Sequence, residues 1–181
     1  MLNVAVLCSK RAPALDVLMQ RADIDLVGVL SPVPPPLSLR RDHDAKLAED
    51  LTHLGADLVI CLGYLYILTE PMLSAFRGRI LNLHDGEPRF PGLHATHDAI
   101  LAGARHTRSI VHIVDETLDG GPLLYASKAY PVAPFVHEAV RAGETKIVKA
   151  YAYAHREWMI RDAWPALLHR SIDSFALEAA S

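Results

Sequence analysis

Apolar and polar positions follow two rhythms along the chain. Short uncharged runs, too brief for helices, alternate with stretches in which apolar residues recur every three or four positions. The first run, NVAVL at 3–7, is β-branched and uncharged and predicts a buried strand. Ser9 then stands where a helix cap belongs, ahead of a helix with Leu15 and Leu18 on one face and Pro13 in its first turn. A second strand is predicted over 25–30. The stretch SPVPPPLSLRRD at 31–42 carries too much proline for regular structure and reads as a surface loop. Leu47, Leu51 and Leu54 fall at helical spacing in a helix over 42–54 that Gly55 stops. Strands buried on both faces follow over 57–63 and 79–84, then a short helix over 96–102 with Gly103 behind it. The alternating segment 109–115 and the segment 122–132 predict two more strands. From Val136 onward the chain reads as helix, with Ile147, Tyr151, Trp158, Leu167 and Leu168 as packing positions and Pro165 as a kink or break.

Strand and helix alternate through the first half, which predicts an α/β fold: a Rossmann-like, mostly parallel sheet with helices on both faces. A length of 181 residues suits one domain, so 1–181 is expected to form a single unit with 133–181 as a helical C-terminal tail. In such sheets ligands bind beyond the carboxyl ends of the strands.

Composition narrows the function. The net charge is −3 and the basic residues are scattered, so there is no electrostatic footprint for nucleic acid. A small molecule fits better than a polyanion. The longest apolar run, 58–68, is too short to span a membrane. The start of the chain is strand-like and lacks the basic lead and small-residue cleavage site of a signal peptide. Cys8 and Cys61 sit inside apolar runs, without metal-ligand spacing, and read as buried thiols in a reducing, cytoplasmic setting. No metal is expected: His97, His106, His112, His137, His155 and His169 form no convincing ligand set with a carboxylate and read as surface or satisfied core residues. The sheet edge and the helical tail each leave room for a homodimer.

Two segments carry chemistry. In ILNLHDGEPRFPGLH, Asn82 and His84 are two apart, so on a strand they share a face, at the carboxyl end where a Pro- and Gly-rich loop begins. An amide there can donate to a developing oxyanion, and an imidazole can move a proton near neutral pH. Read alone, the pair also fits a polar closure of the sheet end. In VDETLDGGPLL, Asp119 precedes Gly120 and Gly121, which permit a tight turn and close backbone approach to a ligand. Read alone, this is also an ordinary turn with a solvated acid.

Together the segments match a family in order, spacing and wording. The chain resembles the folate-dependent formyltransferases, its glycinamide ribonucleotide transformylase branch above all. The matching motifs read Leu62-Gly63-Tyr64-Leu65-Tyr66-Ile67-Leu68, Asn82-Leu83-His84, Pro91-Gly92-Leu93-His94 and Leu118-Asp119-Gly120-Gly121-Pro122. The resemblance implies a formyltransferase-type fold and an enzyme that moves a formyl group from 10-formyltetrahydrofolate to a primary amine of a small-molecule acceptor, a purine precursor or an amino sugar. It implies that Asn82 and protonated His84 hold the tetrahedral oxyanion, while Asp119 orients His84 and helps move the amine's proton through a water. It places Leu65, Tyr66 and Leu68, with Asp115, Glu116 and Leu118 of the second loop, around the pterin.

The acceptor side departs from that pattern. Where the family has a glycine-containing stretch for a substrate phosphate, this chain has Cys8-Ser9-Lys10-Arg11-Ala12-Pro13. A helix N-terminus with Lys10 and Arg11 can hold an anion; the plainer reading is surface residues at a helix start. After His84 the family's uncharged stretch is replaced by Asp85-Gly86-Glu87-Pro88, one residue shorter. Asp85 and Glu87 are expected to disfavour a strongly anionic acceptor, and His94 stands where it can touch the acceptor. The stretch between the second strand and Asp57 is short, so fewer strands are expected. Trp164-Pro165 is the one echo of the family in the tail. Two other readings remain: a formyltetrahydrofolate hydrolase, against which the lack of a preceding regulatory domain counts, and a non-catalytic folate-binding relative.

Overall fold

The structure, a computed structural model, describes residues 1–179. Six strands form one sheet in the order β2-β1-β3-β4-β6-β7. β1 (Leu2–Leu7), β2 (Ile24–Leu30), β3 (Leu58–Cys61) and β4 (Ile80–His84) run parallel. β5 (His106–Thr107) lies outside this sheet; β6 (Ile110–Ile113) and β7 (Leu123–Ala126) extend it antiparallel from β4. The expected α/β architecture is present.

Helices cover both faces, and strand parity decides which residue meets which helix. Val4, Val6, Leu58, Ile60, Leu81 and Leu83 pack in one cluster with α1 (Leu15–Met19) and the last helix. Ala5, Leu7, Val59, Cys61 and Ile80 pack on the other face with α2 (Arg40–His53) and α3 (Glu70–Ala75). Both faces of the parallel strands are therefore apolar, which is why they read as continuous runs rather than as alternation. Asn82 and His84 share the parity of Ile80 and belong to the second face.

α4 (Ala95–Leu101) follows β4, one residue earlier at each end than the sequence suggests. The tail comprises α5 (Pro134–Arg141) and α6 (Thr145–Ala179), and α6 contributes Met159, Trp164, Leu167, Leu168 and Ile172 to the core.

Several expectations change. Ser9 caps no helix: α1 begins at Leu15 behind Ala14, whose φ of 61° turns the chain into the helix. The proline-rich stretch is not wholly irregular, because Leu37–Leu39 forms a 3-10 turn and Arg40 already starts α2. The strand expected over 122–132 is two: β7 turns away after Ala126, and β8 (Tyr130–Pro131) pairs with β5 in a separate ribbon. Ile147 is exposed rather than packed, and Trp158 is only half-buried, edge-on to Tyr130.

Pro165 neither ends nor breaks α6, which is continuous through it. An interior proline forfeits one helical hydrogen bond and crowds the preceding turn. Pro165→Ala is therefore expected to stabilise the protein by about 1–3 kcal/mol, read as a higher thermal midpoint. An unchanged or lower midpoint would mean that the turn around Pro165 is already relaxed by its packing.

Candidate active site

β4 delivers Asn82 and His84 to the carboxyl end of the sheet, and the loop between β6 and β7 delivers Asp119 to meet them. Asp119 has φ of 49°, in the left-handed region, where a short carboxylate side chain is among the better tolerated. Its two oxygens divide the work. Oδ1 accepts the Asn82 amide Nδ2 at 3.2 Å, and Oδ2 accepts the Gly92 backbone N–H at 2.7 Å. His84 Nδ1 lies 3.8 Å from Oδ2, and the other ring nitrogen is 3.3 Å from the Phe90 carbonyl. The three residues named from the sequence are thus brought together, and Gly92 ties the Pro-Gly-Leu-His loop to them.

A fourth side chain touches this cluster, His112, which the sequence reads as a surface or satisfied core histidine. His112 on β6 is buried and sits directly opposite Asn82 in the antiparallel register. Its Nε2 is 3.1 Å from Asn82 Nδ2 and 3.7 Å from Asp119 Oδ1, and its Nδ1 is 3.0 Å from the Ile113 carbonyl. The neutral ring with Nδ1–H donating to Ile113 accepts the Asn82 N–H at Nε2, whereas only the protonated ring offers an Nε2–H toward Asp119 Oδ1. The available signal was a histidine at a buried parity position two residues before the acidic loop. Only the register of β6 against β4 gives it a partner.

Electrostatics follow from these contacts. Burial pushes the Asp119 carboxyl up, but the His112 contact, the nearby His84 and the Gly92 N–H outweigh it and bring the value down to about 2. Asp119 is therefore an anion throughout the neutral range. Cys61, beside Asn82 in the β3–β4 register, is pushed up to about 12, first by burial and then by the Asp119 charge. It stays a neutral thiol and is no nucleophile.

The segment 65–69 forms a wall beside the site. Ser9 Oγ accepts the Leu65 N–H at 2.9 Å, so the first loop is anchored to this wall rather than to a helix. α2 holds the wall with two buried charges one turn apart. Arg40 donates to the Ile67 carbonyl at 3.1 Å and stands over the Tyr66 ring, while Asp44 accepts the Thr69 N–H and hydroxyl, both at 2.7 Å. Leu65 and Leu118 leave large apolar surfaces exposed, Glu116 is exposed, and Tyr66 and Asp115 are part-buried. Asp115 caps its own turn by accepting the Thr117 N–H at 2.8 Å. Leu68 points into the core with Met72, so its peptide group is what it can offer a ligand.

The loops after β1 and β4 differ from what the sequence predicts. Lys10 and Arg11 are exposed but lie short of α1, so no helix N-terminus accompanies them; Arg11 instead pairs with Glu157. Asp85 is buried and pairs with Arg156 at 2.7 Å, and Glu87 pairs with Arg89 at 2.9 Å. Neither acid presents the free negative charge expected of it, because each has a guanidinium at bonding distance. His94 is exposed at the start of α4.

Elsewhere, an open hollow of about 540 Å³ is lined by Pro131, Pro134, Tyr151 and Trp158. Its one histidine, His155, has both ring nitrogens engaged, by Thr107 and Tyr151. Among the described residues no helix is long and apolar enough to cross a membrane, and no three His, Cys, Asp or Glu side chains are grouped to hold a metal.

A family model described as formyl transferase matches residues 2–154. The chain belongs to the formyl transferase family. The phosphoribosylglycinamide formyltransferase of Mycobacterium tuberculosis is 36% identical over 121 residues, covering 60% of this chain and 56% of that protein. The formyltetrahydrofolate deformylase of Escherichia coli is 30% identical over 86 residues, covering 47% of this chain and 31% of that protein. The chain spans about half the length, or less, of such curated relatives. The crystal structure of glycinamide ribonucleotide transformylase 1 from Symbiobacterium toebii superposes with a TM-score of 0.62 at 27% identity, over 92% of this chain and 88% of that one. The fold is thus that of the transformylases.

Proposed function

We propose that this formyl transferase family member transfers a formyl group from 10-formyltetrahydrofolate to the primary amine of a small-molecule acceptor of the purine-precursor or amino-sugar class. The observation that carries the reading is the Asp119 carboxylate, held as an anion between Asn82 and His84 at the carboxyl end of β4. Relatives named for the same transfer support it.

The residues divide the task. The formyl carbon receives the amine nitrogen, and its bond to the folate nitrogen breaks. Asn82 turns one N–H from Asp119, at 3.2 Å the longer of its two contacts, toward the carbonyl oxygen as that oxygen gains charge. His84, protonated, donates to the same oxygen, and Asp119 stabilises the imidazolium. The amine's proton leaves toward Asp119 through a water, and the folate nitrogen takes a proton in exchange. Leu65, Tyr66 and the peptide group of Leu68, with the Asp115, Glu116 and Leu118 loop, line the pterin pocket. Ser9, Lys10, Arg11 and His94 border the acceptor.

The test mixes the purified protein with 10-formyltetrahydrofolate and a panel of amines and follows the folate absorbance. Turnover should require one amine class and fall by roughly 10²–10³-fold in Asn82→Ala and in His84→Ala. Full turnover in either variant would remove that residue from the chemistry. The likeness to a deformylase supports a second reading, in which water attacks the same donor. Formate release at full rate without any amine would establish that reading in place of the transfer.

A further inference from the structure

Asp85 has no part in the reaction as proposed, yet it is buried immediately after His84. Its carboxylate accepts Arg156 Nε at 2.7 Å and the Thr96 hydroxyl at 3.2 Å, and the same hydroxyl donates to its carbonyl at 2.7 Å. A buried carboxylate is costly unless it is paired and hydrogen-bonded, and here α6 supplies the partner. Arg156 also donates through Nη1 to Glu157 at 3.0 Å, and Glu157 closes on Arg11 in the first loop. Two adjacent residues of α6 therefore reach the two loops that leave the carboxyl ends of β1 and β4. Both loops depart from the pattern of the resembled family, and both α6 residues lie past residue 154, where the family model stops matching.

We propose that Arg156 is a positioning residue for His84: through Asp85 it fixes the carboxyl end of β4 against α6, and through Glu157 it joins that end to the first loop. The inference rests on His84 being catalytic. The His84 ring is held only loosely by its own contacts, 3.8 Å from Asp119 and 3.3 Å from the Phe90 carbonyl. Its placement therefore depends on the backbone, and the next residue along that backbone is bolted to Arg156. Without the guanidinium, the buried Asp85 carboxylate keeps only the Thr96 hydroxyl at 3.2 Å and turns toward water, which loosens the strand end from α6. A displacement near 1 Å at a reacting group costs on the order of 10²-fold in rate.

The test uses the full chain with Arg156→Met, Arg156→Lys and Asp85→Asn. Three quantities are read: kcat with the amine the panel identifies, the Kd of the folate donor, and the rate at which diethyl pyrocarbonate modifies His84, mapped by peptide mass spectrometry. Arg156→Met should lower kcat by roughly 30-fold with donor Kd within about twofold, and His84 should be modified about fivefold faster while His137 is unchanged. Arg156→Lys, which restores the charge facing Asp85, should recover most of kcat and keeps the test open if the methionine variant folds poorly. Wild-type kcat and wild-type His84 reactivity in Arg156→Met would overturn the proposal. So would a uniform rise in the reactivity of all histidines, which marks general loosening. If the wild type neither binds nor turns over the donor but Arg156→Met still exposes His84 alone, the positioning holds and the transfer reading falls.

Discussion

Asp119→Asn should lower kcat/KM by roughly 10³-fold and cost about 2–4 kcal/mol of stability at neutral pH. The substitution keeps the shape and removes the charge. It also turns one of two acceptor oxygens into a donor, and each of those oxygens already faces donors. The new NH₂ would oppose either the Gly92 N–H, now 2.7 Å away, or the Asn82 amide, now at 3.2 Å. The His84 imidazolium would lose the anion that stabilises it. The carboxyl is held down at about 2, from an ordinary 3.8, so the sign of the pH effect is fixed. A folded value below the unfolded one gives stability that is present above about pH 3.8, on the order of 2 kcal/mol, and is lost as pH falls toward 2. Urea unfolding at pH 7 and at pH 3 should show a smaller loss of stability in Asp119→Asn than in the wild type. The acid limb of the wild-type activity then belongs to another group, since Asp119 stays ionised well below the working range. Retention of more than a tenth of the wild-type kcat/KM by Asp119→Asn would exclude the carboxylate from the chemistry.

What the sequence shows of this site is what period and turn chemistry can carry. Asn82 and His84 share a face because strand side chains alternate, and Asp119 stands out because two glycines follow it. β1, β3 and β4 are legible because each is buried on both faces, and β2, at the sheet edge, is legible as a short apolar run. What stays hidden depends on pairing between distant segments. His112 acquires its role from the antiparallel register that sets it opposite Asn82, and no local pattern states that register. Arg156 reaches Asp85 across 71 residues, so that acid reads as a free charge until the fold closes, and Arg11 likewise meets Glu157 only across 146. α3 escapes because six residues hold too little period to register, and α6 runs through Pro165 because packing on the sheet outweighs one lost hydrogen bond.

The two glycines of the acidic loop look alike in sequence and should behave differently. Gly121→Ala is expected to destabilise the protein by about 4 kcal/mol and to abolish donor binding, while Gly120→Ala should cost about 1 kcal/mol. A methyl group built on Gly121 would stand 2.0 Å from the Ile113 carbonyl oxygen, a backbone atom with no rotamer to yield. That carbonyl accepts from His112 Nδ1 at 3.0 Å, and the other nitrogen of His112 meets Asn82. Relieving the clash therefore moves the β6 backbone, then His112, then the Asn82 amide on which the proposed oxyanion contact depends. A methyl on Gly120 would stand 2.5 Å from Thr117 Cγ2, the end of an exposed side chain that can rotate away. Denaturant midpoints and donor Kd for the two variants separate the cases. Equal stability losses would show that the loop tolerates the backbone shift. The tight passage at Gly121 would then have no part in holding Asp119 against Asn82 and His84.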